Sequence, residues 1–156
     1  MDFNQTGTPK IGTVIRGQSP ATSMSYHEDG SHLYVSSEGD SRLRVIDCQR
    51  GASDRPALKF ERDGVRLVEA THHNQCVLTT SPKTPKTQGP PTQRHSIHYL
   101  SLHDNKILRH FRGHSDHVTN LSLSPVDDTF LSSSTDRTVR LWNLGTAGAV
   151  GEMMLP

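Results

Sequence analysis

The sequence predicts an all-β chain of about three four-stranded propeller blades, and three observations carry that expectation. Apolar and polar residues alternate in short stretches along the chain, where an amphipathic helix would repeat every three or four residues. Turn-forming residues punctuate those stretches at intervals of about ten residues. Residues 35–47 (VSSEGDSRLRVID) align without a gap to residues 131–143 (LSSSTDRTVRLWN), an offset of 96.

Residues 1–17 are polar apart from Ile11, Val14 and Ile15, and 10–16 is a candidate ring-closing strand. The first unit, 18–60, has strands expected at 33–35 and 43–46, with turns at Asp29-Gly30 and Gly39-Asp40. The second, 61–112, begins around Asp63-Gly64 and has strands expected at 65–68, 76–78, 97–102 and 107–111, the last two joined at Asp104-Asn105. The third, 113–156, has strands expected at 118–123, 130–131 and 139–142, with turns from Pro125 to Asp128 and at Gly145. A weaker copy lays 96–102 over 138–144 and links the middle unit to the others. Units of about 40 to 50 residues have the size of propeller blades, and a sandwich has no need to repeat in this way. No convincing helix is predicted.

The second unit is interrupted at 81–93, where four prolines fall in thirteen residues. Proline cannot donate to a sheet ladder, so the stretch is expected to be an extended, solvated loop between the two inner strands of its blade. Ser81 and Thr84 each precede a proline and stand near Lys83 and Lys86. They are candidates for proline-directed phosphorylation, which would reverse the local charge.

The third unit opens with Gly113-His114 and closes with Trp142-Asn143. It thereby resembles the Gly-His … Trp-Asp signature of WD repeats. The resemblance implies an internal network of His114, Ser132, Asp136 and Trp142. The chemistry is sound, because a buried indole N–H and a buried carboxylate both need partners. Ser132 and Ser134 share one alternation phase, and Ser132 is preferred. The same His, Ser and Asp invite comparison with a hydrolytic triad, but neither a nucleophile elbow nor an oxyanion-forming glycine turn accompanies them. No catalytic residue is assigned.

A narrower resemblance rests on 99–106 (YLSLHDNK), continuing to Arg109, Phe111, Gly113 and His114, and on 124–130 (SPVDDTF), with a looser match at 46–51 (IDCQRG). These stretches resemble the WD-repeat subunit of COMPASS-type histone methyltransferase complexes over about 18–156, most strongly in the last 60 residues. The resemblance implies a nuclear, non-enzymatic adaptor in chromatin modification and transcription, with methyltransferase-complex subunits as partners. Related members serve a phosphatase assembly in transcription termination and RNA 3′-end processing. A WD-repeat adaptor in another assembly, such as a ubiquitin ligase, is the alternative. Carried over, the family's contact rim falls on Ser115, Asp116, Thr135 and Arg137. The first unit departs from the repeat with Ile46 in place of an aromatic and Gln18-Ser19-Pro20 in place of Gly-His. The second has Arg94 at the turn Asp and Leu100 at the Trp position. Both are therefore expected to rely on apolar packing alone.

Composition limits the alternatives. The 156 residues are 31% hydrophobic and carry 17 Lys plus Arg against 16 Asp plus Glu, a formal charge of +1. Mean hydropathy is −0.61. No apolar run reaches the roughly 18 residues of a membrane span. Arg42, Arg44, Arg137 and Arg140 lack interleaved aromatics, which argues against direct nucleic-acid binding. Cys48 and Cys76 follow no recognisable secretory leader and are expected to be reduced and to serve as small buried hydrophobes. The ten histidines show no metal-ligand spacing and are expected on the surface and in turns, so neither metal nor cofactor is assigned. Propellers close with about four to eight blades, so three point to the N-terminal part of a larger ring.

Overall fold

The computed structural model describes residues 14–155 except 62–63, 74, 86–87 and 147. Alternation and turn chemistry produce three antiparallel sheets whose strands follow chain order. The first holds β1 (Ser23–Tyr26), β2 (His32–Ser37) and β3 (Arg42–Asp47). Its outer edge is split between β4 (Ala52–Ser53) and β5 (Leu58–Lys59), both paired with β3. The second holds β6 (Val68–Ala70), β7 (Cys76–Thr80), β8 (Ile97–Ser101) and β9 (Lys106–Phe111). The third holds β10 (Val118–Leu123), β11 (Thr129–Ser134), β12 (Thr138–Asn143) and β13 (Ala149–Met154).

Strand alternation gives the middle sheet two apolar faces. Val77 and Leu100 pair on one face, packing with Val68, Ala70 and Leu102 against Tyr34, Leu43 and Val45 of the first sheet. Leu78, Ile97 and Phe111 lie on the other, against Val118, Leu121, Phe130 and Trp142 of the third. Burial of each such side chain contributes about 1.5–3 kcal/mol. The second seam is rich in aromatics: Phe111 meets Phe130 edge to face at 5.0 Å, and Phe130 stacks on Trp142 at 6.2 Å. The three first strands are neighbours, with β6 against both β1 and β10. The Ala70 amide donates to Ser25 Oγ at 3.1 Å, and the Arg66 guanidinium crosses to the Val118 carbonyl. First strands gathered side by side, with sheets fanning outward, are blades of a propeller.

Several expectations are corrected. Strands β1, β4, β5 and β13 went unrecognised, and the strand expected at 65–68 is β6, beginning only at Val68. Of the candidate ring-closing strand at 10–16, residues 10–13 lie outside the described residues, and 14–16 form no strand. The proline-rich stretch is not wholly extended, since Pro91–Arg94 make one helical turn, α1, with proline suited to its first position. Neither cysteine is buried: Cys48 is exposed and Cys76 half-buried, both free. Four of the ten histidines, His27, His95, His98 and His114, are buried rather than on the surface.

The first blade departs from the third by one residue of register. Leu131 pairs with Leu141, whereas Val35 pairs with Arg44 rather than Val45. Four residues separate β2 from β3, but only three separate β11 from β12. A one-residue shift turns alternate side chains to the opposite face. Ser36, which the gapless alignment lays over Ser132, instead faces the second blade and donates to the Arg66 carbonyl at 2.6 Å. Glycine is retained before the first blade. A Cβ on Gly17 would lie 3.3 Å from Arg44, much as one on Gly113 would press on Arg140, so only the histidine is replaced, by Gln18. Nor does this blade rely on apolar packing alone. Arg44 binds Asp40 at 2.7 Å, with both side chains largely buried.

Candidate interaction site at the third blade

The hairpin of β11 and β12 brings Ser132, Asp136 and Trp142 under His114, which enters from the segment before β10. His114 Nδ1 lies 2.9 Å from Asp136 Oδ2, and Nε2 lies 2.7 Å from Ser132 Oγ. Trp142 Nε1 donates to the same Ser132 oxygen at 2.8 Å. His114 is 1% exposed and Trp142 is 0% exposed, so these groups have no recourse to water. A neutral imidazole with its proton on Nδ1 satisfies them all: it donates to Asp136, accepts from Ser132, and leaves the serine oxygen to accept from the indole.

Thr138 is a member that sequence reasoning missed. Its hydroxyl donates to Asp136 Oδ1 at 2.7 Å and stands 3.2 Å from His114 Nδ1. Its amide donates to Asp136 Oδ1 at 2.9 Å, and the Ser115 amide to Oδ2 at 3.0 Å. A Thr two residues after a turn Asp is the signal that could have found it. Burial opposes ionisation of Asp136. Donors from Thr138, His114 and Ser115 outweigh it and hold the carboxyl well below the usual carboxylate range. For His114 the balance is reversed, as burial pushes the imidazole down by more than Asp136 lifts it. Ser134 has a different place: it accepts from the Asp136 amide at 3.1 Å and donates to the Asp116 carbonyl at 3.0 Å.

Ser115, Asp116, Thr135 and Arg137 are all exposed, on the turns above this network. His117, also missed, links two of them: its amide donates to Asp116 Oδ1 at 2.7 Å, and its Nδ1 lies 3.1 Å from Thr135 Oγ1. The His117 amide, first among its donors, draws the Asp116 carboxyl below its ordinary value. Arg137 has φ +64°, the left-handed corner of a tight turn. All four lie on turns at one end of the blade. The stretch at 81–93 joins β7 to β8 at the same end. Its two candidate phosphoacceptors differ. Thr84 is exposed, but Ser81 is buried with its hydroxyl on the Ser96 carbonyl, so Ser81 is not presented to a kinase in this fold. Among the described residues no cluster of three or more His, Cys, Asp or Glu could hold a metal ion.

Four-stranded blades, one with an His–Ser–Asp–Trp network under its polar turns, define a β-propeller repeat protein. Residues 9–47 and 105–143 match the family described as WD domain, G-beta repeat, and the chain belongs to the WD-repeat family. It is 40% identical over 147 residues to WD repeat-containing protein 82 of Drosophila melanogaster, covering 94% of this chain and 43% of that protein. It is 35% identical over 126 residues to the COMPASS component SWD2 of Saccharomyces cerevisiae, covering 80% of this chain and 35% of that one. It is 34% identical over 130 residues to the Set1 complex component swd2 of Schizosaccharomyces pombe, covering 83% and 33%. The chain thus spans less than half the length of these curated relatives.

Proposed function

We propose that this chain is a non-enzymatic protein-interaction scaffold and a nuclear subunit of a COMPASS-like histone methyltransferase assembly. The observation that carries the reading is its kinship, over four-fifths of its length, with two proteins named as components of such complexes. The third blade supports the scaffold part. Ser132 is 1% exposed, and its hydroxyl is committed to His114 and Trp142, so the His–Ser–Asp set orders a turn rather than meeting a substrate. The work of recognition then falls to the exposed turns, with Ser115, Asp116, Thr135 and Arg137 as the contact rim. We place the blades at 18–60, 61–112 and 113–156, and Thr84 as the modifiable position of the proline-rich insertion.

Affinity purification of the tagged chain tests the assembly: methyltransferase subunits should co-purify, and cullins in their place would overturn it. Joint alanine substitution of Asp116, Thr135 and Arg137 should weaken that capture at least tenfold without unfolding. Undiminished capture would refute this choice of rim.

A further inference from the structure

The proline-rich insertion of the second blade is tied to the first. The Lys83 amide donates to Glu38 Oε1 at 2.7 Å, and Glu38 belongs to the turn between β2 and β3. Beside this bond Pro82 closes on Gly64, where a Cβ would lie 2.8 Å from the proline ring and φ is +66°. The other Glu38 oxygen is 3.6 Å from Arg66 Nε, and the Glu38 side chain is 27% exposed. Arg66 is itself committed to the Val118 carbonyl. A single carboxylate thus holds the insertion against the boundary between the first two blades.

Thr84 follows directly after that tether and precedes Pro85. It is exposed and lies in the wall of a cleft of about 150 Å³, together with Glu38, Gly39, Ser41, Phe60 and Glu61. Among the described residues of that wall, the charged ones are both carboxylates, Glu38 and Glu61. The nearest ammonium groups in sequence, Lys59 and Lys83, are exposed, and solvated lysines offset a neighbouring charge only weakly. A phosphorylated threonine brings about −1.5 to −2 charges at pH 7. In one narrow cleft with two carboxylates, that charge is repelled.

We propose that phosphorylation of Thr84 is a release switch: phosphate and carboxylates repel, the Lys83–Glu38 bond breaks, and the insertion leaves the first blade. The transfer is from ATP, bound by a proline-directed kinase. Thr84 Oγ attacks the γ-phosphorus, the bond to the β–γ bridging oxygen breaks, ADP leaves with that oxygen, and the hydroxyl proton passes to the kinase's base. The switch rests on Thr84 as the modifiable position. Failure of such a kinase to modify it would remove that position and the switch with it, whereas phosphothreonine installed during translation tests the release by itself.

In the 156-residue chain, exchange of the Lys83 amide is followed by NMR with and without phosphothreonine at position 84. Phosphorylation should speed it by about tenfold or more, the effect of losing a hydrogen bond to a charged acceptor. The Ser31 amide, held by Asp29 at 2.8 Å, should exchange as before. Joint Glu38→Gln and Glu61→Gln substitution keeps an acceptor for the amide and removes the charge, so the acceleration should fall to about threefold or less. Equal rates with and without phosphate would overturn the proposal. So would slower exchange, which would mean that the lysines capture the phosphate, or undiminished acceleration in the double variant. If Trp142 fluorescence shows that the double variant has unfolded, Glu61→Gln alone takes its place, and an undiminished acceleration there would likewise reject the switch.

Discussion

His72 of the second blade lies 2.7 Å from Glu28 of the first through Nδ1, and its Nε2 stands 2.8 Å from the Ser124 carbonyl of the third. A carboxylate and a carbonyl can only accept, so the ring donates twice and is an imidazolium. Glu28 first, and then the Ser124 carbonyl, lift its pKa above the ordinary 6.5, against a small effect of burial. Asp128 nearby adds in the same direction. A raised folded value means stabilisation that is complete below about pH 6.5 and lost as pH rises through the folded pKa. The melting-temperature gap between wild type and His72→Gln should narrow as pH is raised. A gap that does not change with pH would show that the ring is not charged in the fold.

His114 has the opposite sign. Its folded pKa is depressed by burial, so its contribution is present above about pH 6.5 and is lost as pH falls toward the folded value. Asp136, also depressed, adds its own loss below about 3.8. The stability difference between wild type and His114→Asn should therefore shrink on acidification, read by fluorescence of Trp142, the single tryptophan. Asp136→Asn at neutral pH should cost about 3 kcal/mol, since an NH2 group in place of one carboxylate oxygen faces donors of its own.

Ser132→Ala strands two groups at once, the Trp142 N–H and His114 Nε2. It should cost about 2–4 kcal/mol, since each orphan carries its own desolvation penalty. Ser134→Ala, which strands only turn amide and carbonyl groups near solvent, should cost about 1 kcal/mol. Urea denaturation of both variants gives the ranking, and the reverse order would displace Ser132 from the centre of the network.

Gly113→Ala tests the close approach at the start of the third blade. The added Cβ would lie 2.5 Å from Arg140 Nη1 and 3.0 Å from Trp142 Cη2. Arg140 can swing aside at the expense of its 3.0 Å contact with Glu152, but the buried indole cannot. A loss of about 1–3 kcal/mol is expected. Gly17→Ala meets only the Ser19 carbonyl and the flexible end of Arg44 at 3.2–3.3 Å and should lose less. Thermal melts of the two variants provide the comparison.

The parts of the fold legible in the sequence were those with a strong period and a turn beside them. Strand β10 is Val118–Leu123, the span its alternation predicts. β1 (SMSY) and β13 (AVGEMM) were missed because they carry few buried apolar residues and take their place from backbone pairing with β2 and β12. The network residues were legible through the Gly-His and Trp positions of one blade, but Thr138 was not, because its role depends on a turn that folds its hydroxyl onto Asp136. The first blade shows the limit of a gapless repeat: one extra residue between β2 and β3 leaves the letters of Ser36 in place and points its side chain elsewhere.

Because every described strand except β5 pairs with a chain neighbour, and β5 pairs within its own sheet, each blade closes on itself before it meets the next. Contacts so local favour fast formation of separate hairpins, and the coupling between units is confined to the two seams. In such a linear array, opening starts at whichever unit has one neighbour rather than two. Amide hydrogens of β7 and β8 should exchange last, and those of β1 and β13 first, so the chain would melt from its flanks inward and keep the middle sheet as its slowest-exchanging unit.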